Sequence, residues 1–238
     1  MLRLKHVILL LFLLSGCQSR EILPKTTGTE YVPIRVHAYW EYDIVETSIS
    51  QVGGQTNSFY TLRVRVSDSV RVAGEVSYIL ERSKRTDASA PWTALETWSV
   101  RLSTFQLIQQ EGNIPFVKML FPLSEGKGWN GNALNSLGGP DPCTNGSIQC
   151  DTYTVFALAK PFEFQGVTYA NSVTIIENNN DDPIVSKDVR KAVYVKAIGL
   201  VYRESTQYAY CTIGTCIGKQ IVENGTLFRQ TLKAYGGL

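Results

Sequence analysis

Two histidines occur in the sequence, His6 and His37, and only His37 lies beyond the first apolar run. Nucleophilic catalysis by serine or cysteine needs such a residue as its base. His37 stands between Val36 and Ala38 without any Gly-x-Ser-x-Gly elbow in the chain, and alternation places it on the polar face of a strand. Multi-histidine metal sites are excluded by the same count. Gly126-Lys127-Gly128-Trp129-Asn130-Gly131 has the spacing of a dinucleotide fingerprint, which works only where a helix begins and points its N-terminus at a pyrophosphate. The residues after it reach Gly138-Gly139-Pro140 too soon for that helix, so the segment reads as a tight loop with Trp129 folding back on a sheet. Gly214 to Gln220 imitates a phosphate loop but has one residue too few between its glycines and no Ser or Thr after Lys219.

Other groups are less specific. Glu177, Asp181 and Asp182 surround three asparagines and offer oxygen donors to calcium, without the ligand order of an EF-hand; a turn between strands explains the same residues. Carboxylate pairs suited to glycoside hydrolysis arise by chance among 21 acidic residues. Trp92 and Trp129 are the tryptophans free to stack on a ligand or sugar ring, whereas Trp40 and Trp98 fall on the apolar side of their strands. Arg63, Arg65 and Arg71, with Arg82, Lys84 and Arg85 on the next run, make a basic surface for a partner if their strands are adjacent. No catalytic set, cofactor or metal emerges.

These residues are positioned by segments that alternate with period two. Val36, Ala38, Trp40, Tyr42 and Ile44 share one face; Tyr60, Leu62, Val64 and Val66 another; Val76, Tyr78 and Leu80, then Trp98, Val100 and Leu102, repeat the pattern. Residues 114–121, 153–158 and 173–176 are apolar on both faces and read as more central strands. Asp182, Pro183 and the valines 185, 189 and 193 fit either a short helix or an extended run. About ten strands and at most one short helix imply an all-β fold: a single curled antiparallel sheet, half-barrel or sandwich, as one domain over 30–238. Aromatic residues are numerous enough (Trp 4, Tyr 12, Phe 9) to line a core or a ligand groove.

The amino end carries Arg3 and Lys5, an apolar run over 7–14, then Ser15-Gly16-Cys17. This is the layout of an export signal over 1–16, and eight apolar residues are too few for a span of roughly twenty. Of the 23 Lys and Arg, Arg3 and Lys5 fall in that signal, leaving 21 against 21 Asp and Glu. A neutral body has no net field drawing it to nucleic acid or an anionic bilayer. Four later cysteines remain, Cys143, Cys150, Cys211 and Cys216. Outside the cytoplasm they point to disulfides. Three pairings are possible, and the short Gly-, Thr- and Asn-rich loops favour 143–150 with 211–216 over a zinc site.

Leu14-Ser15-Gly16-Cys17 resembles the lipobox of bacterial lipoproteins. That resemblance implies cleavage before Cys17, acyl chains on Cys17 as a membrane anchor, a flexible tether over 17–29, and residence at the outer membrane on its periplasmic or surface face. The segments Phe121-Pro122-Leu123 with 126–132, and 194–204 (Tyr-Val-Lys-Ala-Ile-Gly-Leu-Val-Tyr-Arg-Glu), resemble lipoproteins of Bacteroidetes-type bacteria and curled-sheet, half-barrel envelope proteins. The resemblance implies a β-rich, periplasm-facing domain and brings no activity or ligand with it. The expectation is a non-enzymatic, lipid-anchored envelope protein that binds an amphiphile or another envelope protein. Its alternatives are an assembly subunit of an outer-membrane complex, or a carbohydrate-binding module or hydrolase.

Overall fold

Segments that alternate between apolar and polar side chains bury one face and hydrate the other when they pair as antiparallel strands. The computed structural model describes residues 27–72, 75–135 and 152–238. It contains β1 (Tyr39–Ser50), β2 (Gly54–Val72), β3 (Glu75–Arg85), β4 (Thr93–Leu102), β5 (Gln106–Glu111), β6 (Ile114–Leu120), β7 (Gly128–Asn130), β8 (Thr152–Phe164), β9 (Val167–Asp182), β10 (Ser186–Val195), β11 (Gly199–Tyr210) and β12 (Val222–Gly236). They form one antiparallel sheet ordered β6-β5-β4-β3-β2-β1-β12-β11-β10-β9-β8-β7. The all-β curled sheet is as expected, with twelve strands instead of about ten and no α-helix among the described residues.

Of the two readings open for the segment after Asp182, the extended one is found. Asp182 Oδ1 accepts the N–H groups of Ile184 (2.8 Å) and Val185 (3.2 Å), closing the β9–β10 hairpin. Residues 186–195 then pair with neighbours on both sides, so their amides serve a sheet and not a helix.

The sheet curls until its two end strands meet. Val117 N–H on β6 donates to Gly131 O at 2.8 Å, and Trp129 Nε1 on β7 donates to Val117 O at 2.7 Å. Residues 114–121, apolar on both faces, were expected in the middle of the sheet. They form an end strand instead, and the 128–131 segment covers the edge that would otherwise be left unpaired. Gly131 permits this approach, since a Cβ there would lie 2.3 Å from the Tyr153 ring.

The chain before β1 packs under the barrel. Leu123 N–H donates to Thr27 O (3.2 Å), Ala197 N–H to Glu30 O (2.9 Å), and the buried Tyr31 gives its hydroxyl hydrogen to Asn171 Oδ1 (2.6 Å). Residues 27–29 of the expected tether over 17–29 thus sit against the barrel; its earlier part, Cys17 included, lies outside the described residues. His37 is not on a strand. It occupies an exposed turn at φ 73°, with its amide held by Val66 O at 2.9 Å.

The interior holds Trp40, Tyr42, Ile44, Leu62, Leu80, Val100, Leu107 and Met119. The outer face of β1–β3 carries ion pairs such as Arg63–Glu41 and Arg65–Glu81. Apolar inside and charged outside is the reverse of a lipid-facing barrel. A second small cluster of Val193, Val195, Val201 and Tyr202 is covered by Phe162 and Phe164, where β8 bends at successive register shifts.

Candidate functional site

The barrel interior is incompletely filled. A cavity of about 110 Å³ remains, its apolar wall built from residues such as Trp40, Leu62, Val64, Leu80, Val100 and Leu107. These are the inward positions of β1 to β5, and Tyr31 to Ile34 of the segment before β1 also border it. The polar wall carries Arg82, Gln109, Lys118, Glu177, Arg203 and Gln230.

Four of the interior charges close into a ring. Lys118 Nζ lies 3.0 Å from Glu111 Oε1 and 3.1 Å from Glu177 Oε1. Arg203 approaches the other oxygens of the same two carboxylates, at 3.6 Å to Glu111 Oε2 and 3.7 Å to Glu177 Oε2. Lys118 is 3% exposed and also sits over the Phe116 and Tyr153 rings. An isolated Lys or Glu at such depth would neutralise, so mutual compensation is what keeps Lys118 and the two carboxylates ionised beside the permanently charged Arg203.

The titration behaviour follows from this. Burial pushes the Glu111 carboxyl up, but Lys118 and then Arg203 outweigh it, and the net pKa falls to about 2. Glu177 is lowered by the same two cations against burial and the repulsion of Glu111. Burial would depress Lys118, yet Glu111 and Glu177 hold it above its ordinary range. Tyr194 is pushed up to about 12, first by burial and then by the nearby Glu177 charge. The ring stays doubly positive and doubly negative throughout the neutral range. None of its members is poised to exchange a proton there.

Beside the ring, the Arg82 guanidinium stacks on Trp98, its Cζ 3.7 Å from the ring centre, and pairs with Glu96. Arg82 Nε and Trp98 Nε1 are buried without a hydrogen-bond partner among the described residues. Gln109 donates to Glu111 Oε1 at 2.9 Å, and the Tyr42 hydroxyl donates to Leu200 O at 3.2 Å.

The residues singled out from sequence lie elsewhere. Trp129 is buried, only 8% exposed, and its indole N–H closes the seam, so it is not free to stack on a ligand. Trp92 is half-buried on the outer face, with the Arg63 guanidinium 4.0 Å and that of Arg85 4.4 Å from its ring centre. Arg63 binds Glu41 at 2.5 Å and Arg65 binds Glu81 at 2.6 Å. The basic surface dissolves for a simple reason: β2 and β3 are adjacent, but pleating sends Arg82 inward with its partner Val64 while Arg63 and Arg65 point outward to acids. Cys211 and Cys216 form a disulfide in the β11–β12 loop, and Cys143 and Cys150 lie outside the described residues. Asp181 pairs with Lys187 and Asp182 caps its turn, while Glu177 faces the interior. No group of three His, Cys, Asp or Glu able to hold a metal occurs among the described residues.

Glu111, Lys118 and Arg203 were missed as site residues. A single lysine inside the apolar run 114–121 was the available signal, because a charge in such a position needs partners.

No family model and no curated protein matches this chain. Among solved structures it is similar to a Bacteroides fragilis protein described as exported and as having a YmcC-like fold. The two are 13% identical, the match covers 86% of this chain and 97% of the other, and the TM-score is 0.41.

Proposed function

We propose that this is a lipid-anchored, non-enzymatic envelope protein whose barrel binds one small amphiphilic molecule. The cavity carries the reading: a half-open space with one apolar wall and one charged wall fits a molecule with two unlike ends. Its size sets a limit. A space of about 110 Å³ is close to the roughly 150 Å³ that accommodates a benzene in an engineered apolar core. The apolar part of the ligand is therefore a group of about six heavy atoms or fewer, and a whole acyl chain is too large. The fixed protonation of the ring supports binding over acid–base chemistry, and the lipobox-like Leu14-Ser15-Gly16-Cys17 supports the anchor.

Native mass spectrometry of the full-length protein, purified from its own membrane, tests both parts. The expected spectrum shows acyl mass on Cys17 and a small co-purified species that Val100→Trp, filling the cavity, abolishes. A folded protein that never carries a small molecule, and binds no compact amphiphile offered to it, would overturn the binding role.

A second reading, docking on another envelope protein, is favoured by one rim. Val52, Ile184, Val185, Ile213, Ile217 and Ile221 are exposed on the hairpin ends joined by the register Ser50–Asn224–Ala209–Ser186–Asp182. In-membrane crosslinking from position 213 captures a partner if this reading holds.

A further inference from the structure

Resting on the reading of the barrel as a ligand site, we infer that the bound molecule carries a single carboxylate and that Arg203 receives it. Within the ring the two cations are not equivalent. Lys118 is within hydrogen-bond range of both Glu111 and Glu177, at 3.0 and 3.1 Å. Arg203 stands back at 3.6 and 3.7 Å, and its guanidinium makes no hydrogen bond among the described residues. It borders the cavity with 22% of its side chain accessible. A guanidinium has five N–H donors in a fixed planar fork, so a ligand acceptor placed there fills donors that the protein leaves empty.

Charge selects the acceptor. Three cations face this region, Lys118, Arg203 and Arg82, against two interior carboxylates, Glu111 and Glu177. Arg82 has Glu96 as its own partner, but that carboxylate is half exposed and screened by water. Glu96 thus offsets Arg82 only in part, and the interior keeps a partial positive excess that one carboxylate balances. A planar carboxylate matches the fork with two parallel hydrogen bonds. A phosphate dianion brings a second charge that Glu111 and Glu177 repel. The apolar wall opposite takes the remainder of the molecule, a ring or short chain.

The test compares phenylacetate with its neutral isostere phenylacetamide by titration calorimetry on the full-length acylated protein in lipid nanodiscs. The wild type is expected to bind the carboxylate about tenfold or more tightly than the amide, the gain of a charge-assisted pair in a partly buried site. Arg203→Lys keeps the charge and loses the fork, and should cut that preference to about threefold or less. Equal affinities, or a preference for the amide, would overturn the carboxylate proposal and leave the cavity reading standing. Failure of both probes to bind would count against the cavity reading itself. The wild-type ratio requires no variant, and a shift of the Arg203 Nε resonance on adding phenylacetate alone locates the contact if Arg203→Lys does not fold.

Discussion

Lys118 Nζ donates to Glu177 Oε1 at 3.1 Å, joining β6, the end strand on one side of the sheet, to β9, the third strand from the other end. The pair thus reaches across the place where the sheet closes on itself. Replacing Lys118 by Met keeps the length of the side chain and strands Glu111 and Glu177 with Arg203 alone. Removing one partner from a buried ion cluster costs about 3–5 kcal/mol, and urea unfolding of Lys118→Met should show a loss of that order. Adding Glu177→Gln leaves one carboxylate and one guanidinium, and should recover about half of it. A loss under about 1 kcal/mol for the single variant would mean that the ring does not hold the barrel together.

Acid should unfold the protein through the same groups. Glu111 titrates at about 2 in the folded protein against an ordinary 4.5, and Glu177 is lowered too. The folded state then binds fewer protons than the unfolded chain in this window. Its stability from these groups is full above pH 4.5 and is lost as pH falls from 4.5 toward 2. For Glu111 the loss amounts to about 3 kcal/mol. Chemical denaturation at a series of pH values should show a flatter acid limb in Glu111→Gln, on top of its lower stability at neutral pH.

The Cys211–Cys216 disulfide closes a short exposed loop, with five residues of sequence separation. A loop of that length should contribute about 2 kcal/mol, mainly by restricting the unfolded chain. Cys211→Ser with Cys216→Ser should lower stability by that amount and leave binding in the barrel unchanged. Loss of binding in this double variant would show that the loop communicates with the cavity.

Closure of the sheet depends on two small features. Trp129→Phe removes the hydrogen bond to Val117 O and keeps the ring, so it should cost about 1–2 kcal/mol. Gly131→Ala drives a methyl group into Tyr153 and should cost about 1–3 kcal/mol. In both, amide hydrogen exchange at Val117 should quicken more than in β1 or β12. Uniform acceleration along the chain would argue against a local seam.

Much of the architecture was legible because alternation states directly which face of a strand is buried: Trp40, Tyr42, Ile44, Leu62 and Leu80 all point inward as their spacing requires. The closure was not legible. It rests on Trp129 meeting Val117 across twelve residues of loop and strand, a contact that period-two patterning does not encode. The interior charges were hidden for a related reason. Glu177 sits beside Asp181 and Asp182 in sequence and looked like part of a polar turn, yet pleating and a register shift turn it toward a lysine 59 residues away. Arg203 lay within a segment that looked familiar, between Tyr202 and Glu204. Its distance from the cations' shared carboxylates, which is what makes it interesting, exists only in the folded barrel.

Strand β1 lies between β2, its immediate successor, and β12, about 190 residues further on. A chain emerging amino end first can form the β1–β2 hairpin at once. The other edge of β1 must wait until nearly the whole polypeptide has been released. During that interval the growing protein exposes a sticky ribbon able to recruit a stray strand from a neighbour, so dilution or a chaperone that masks this ribbon should raise the yield of correctly folded molecules more than any change at the barrel seam.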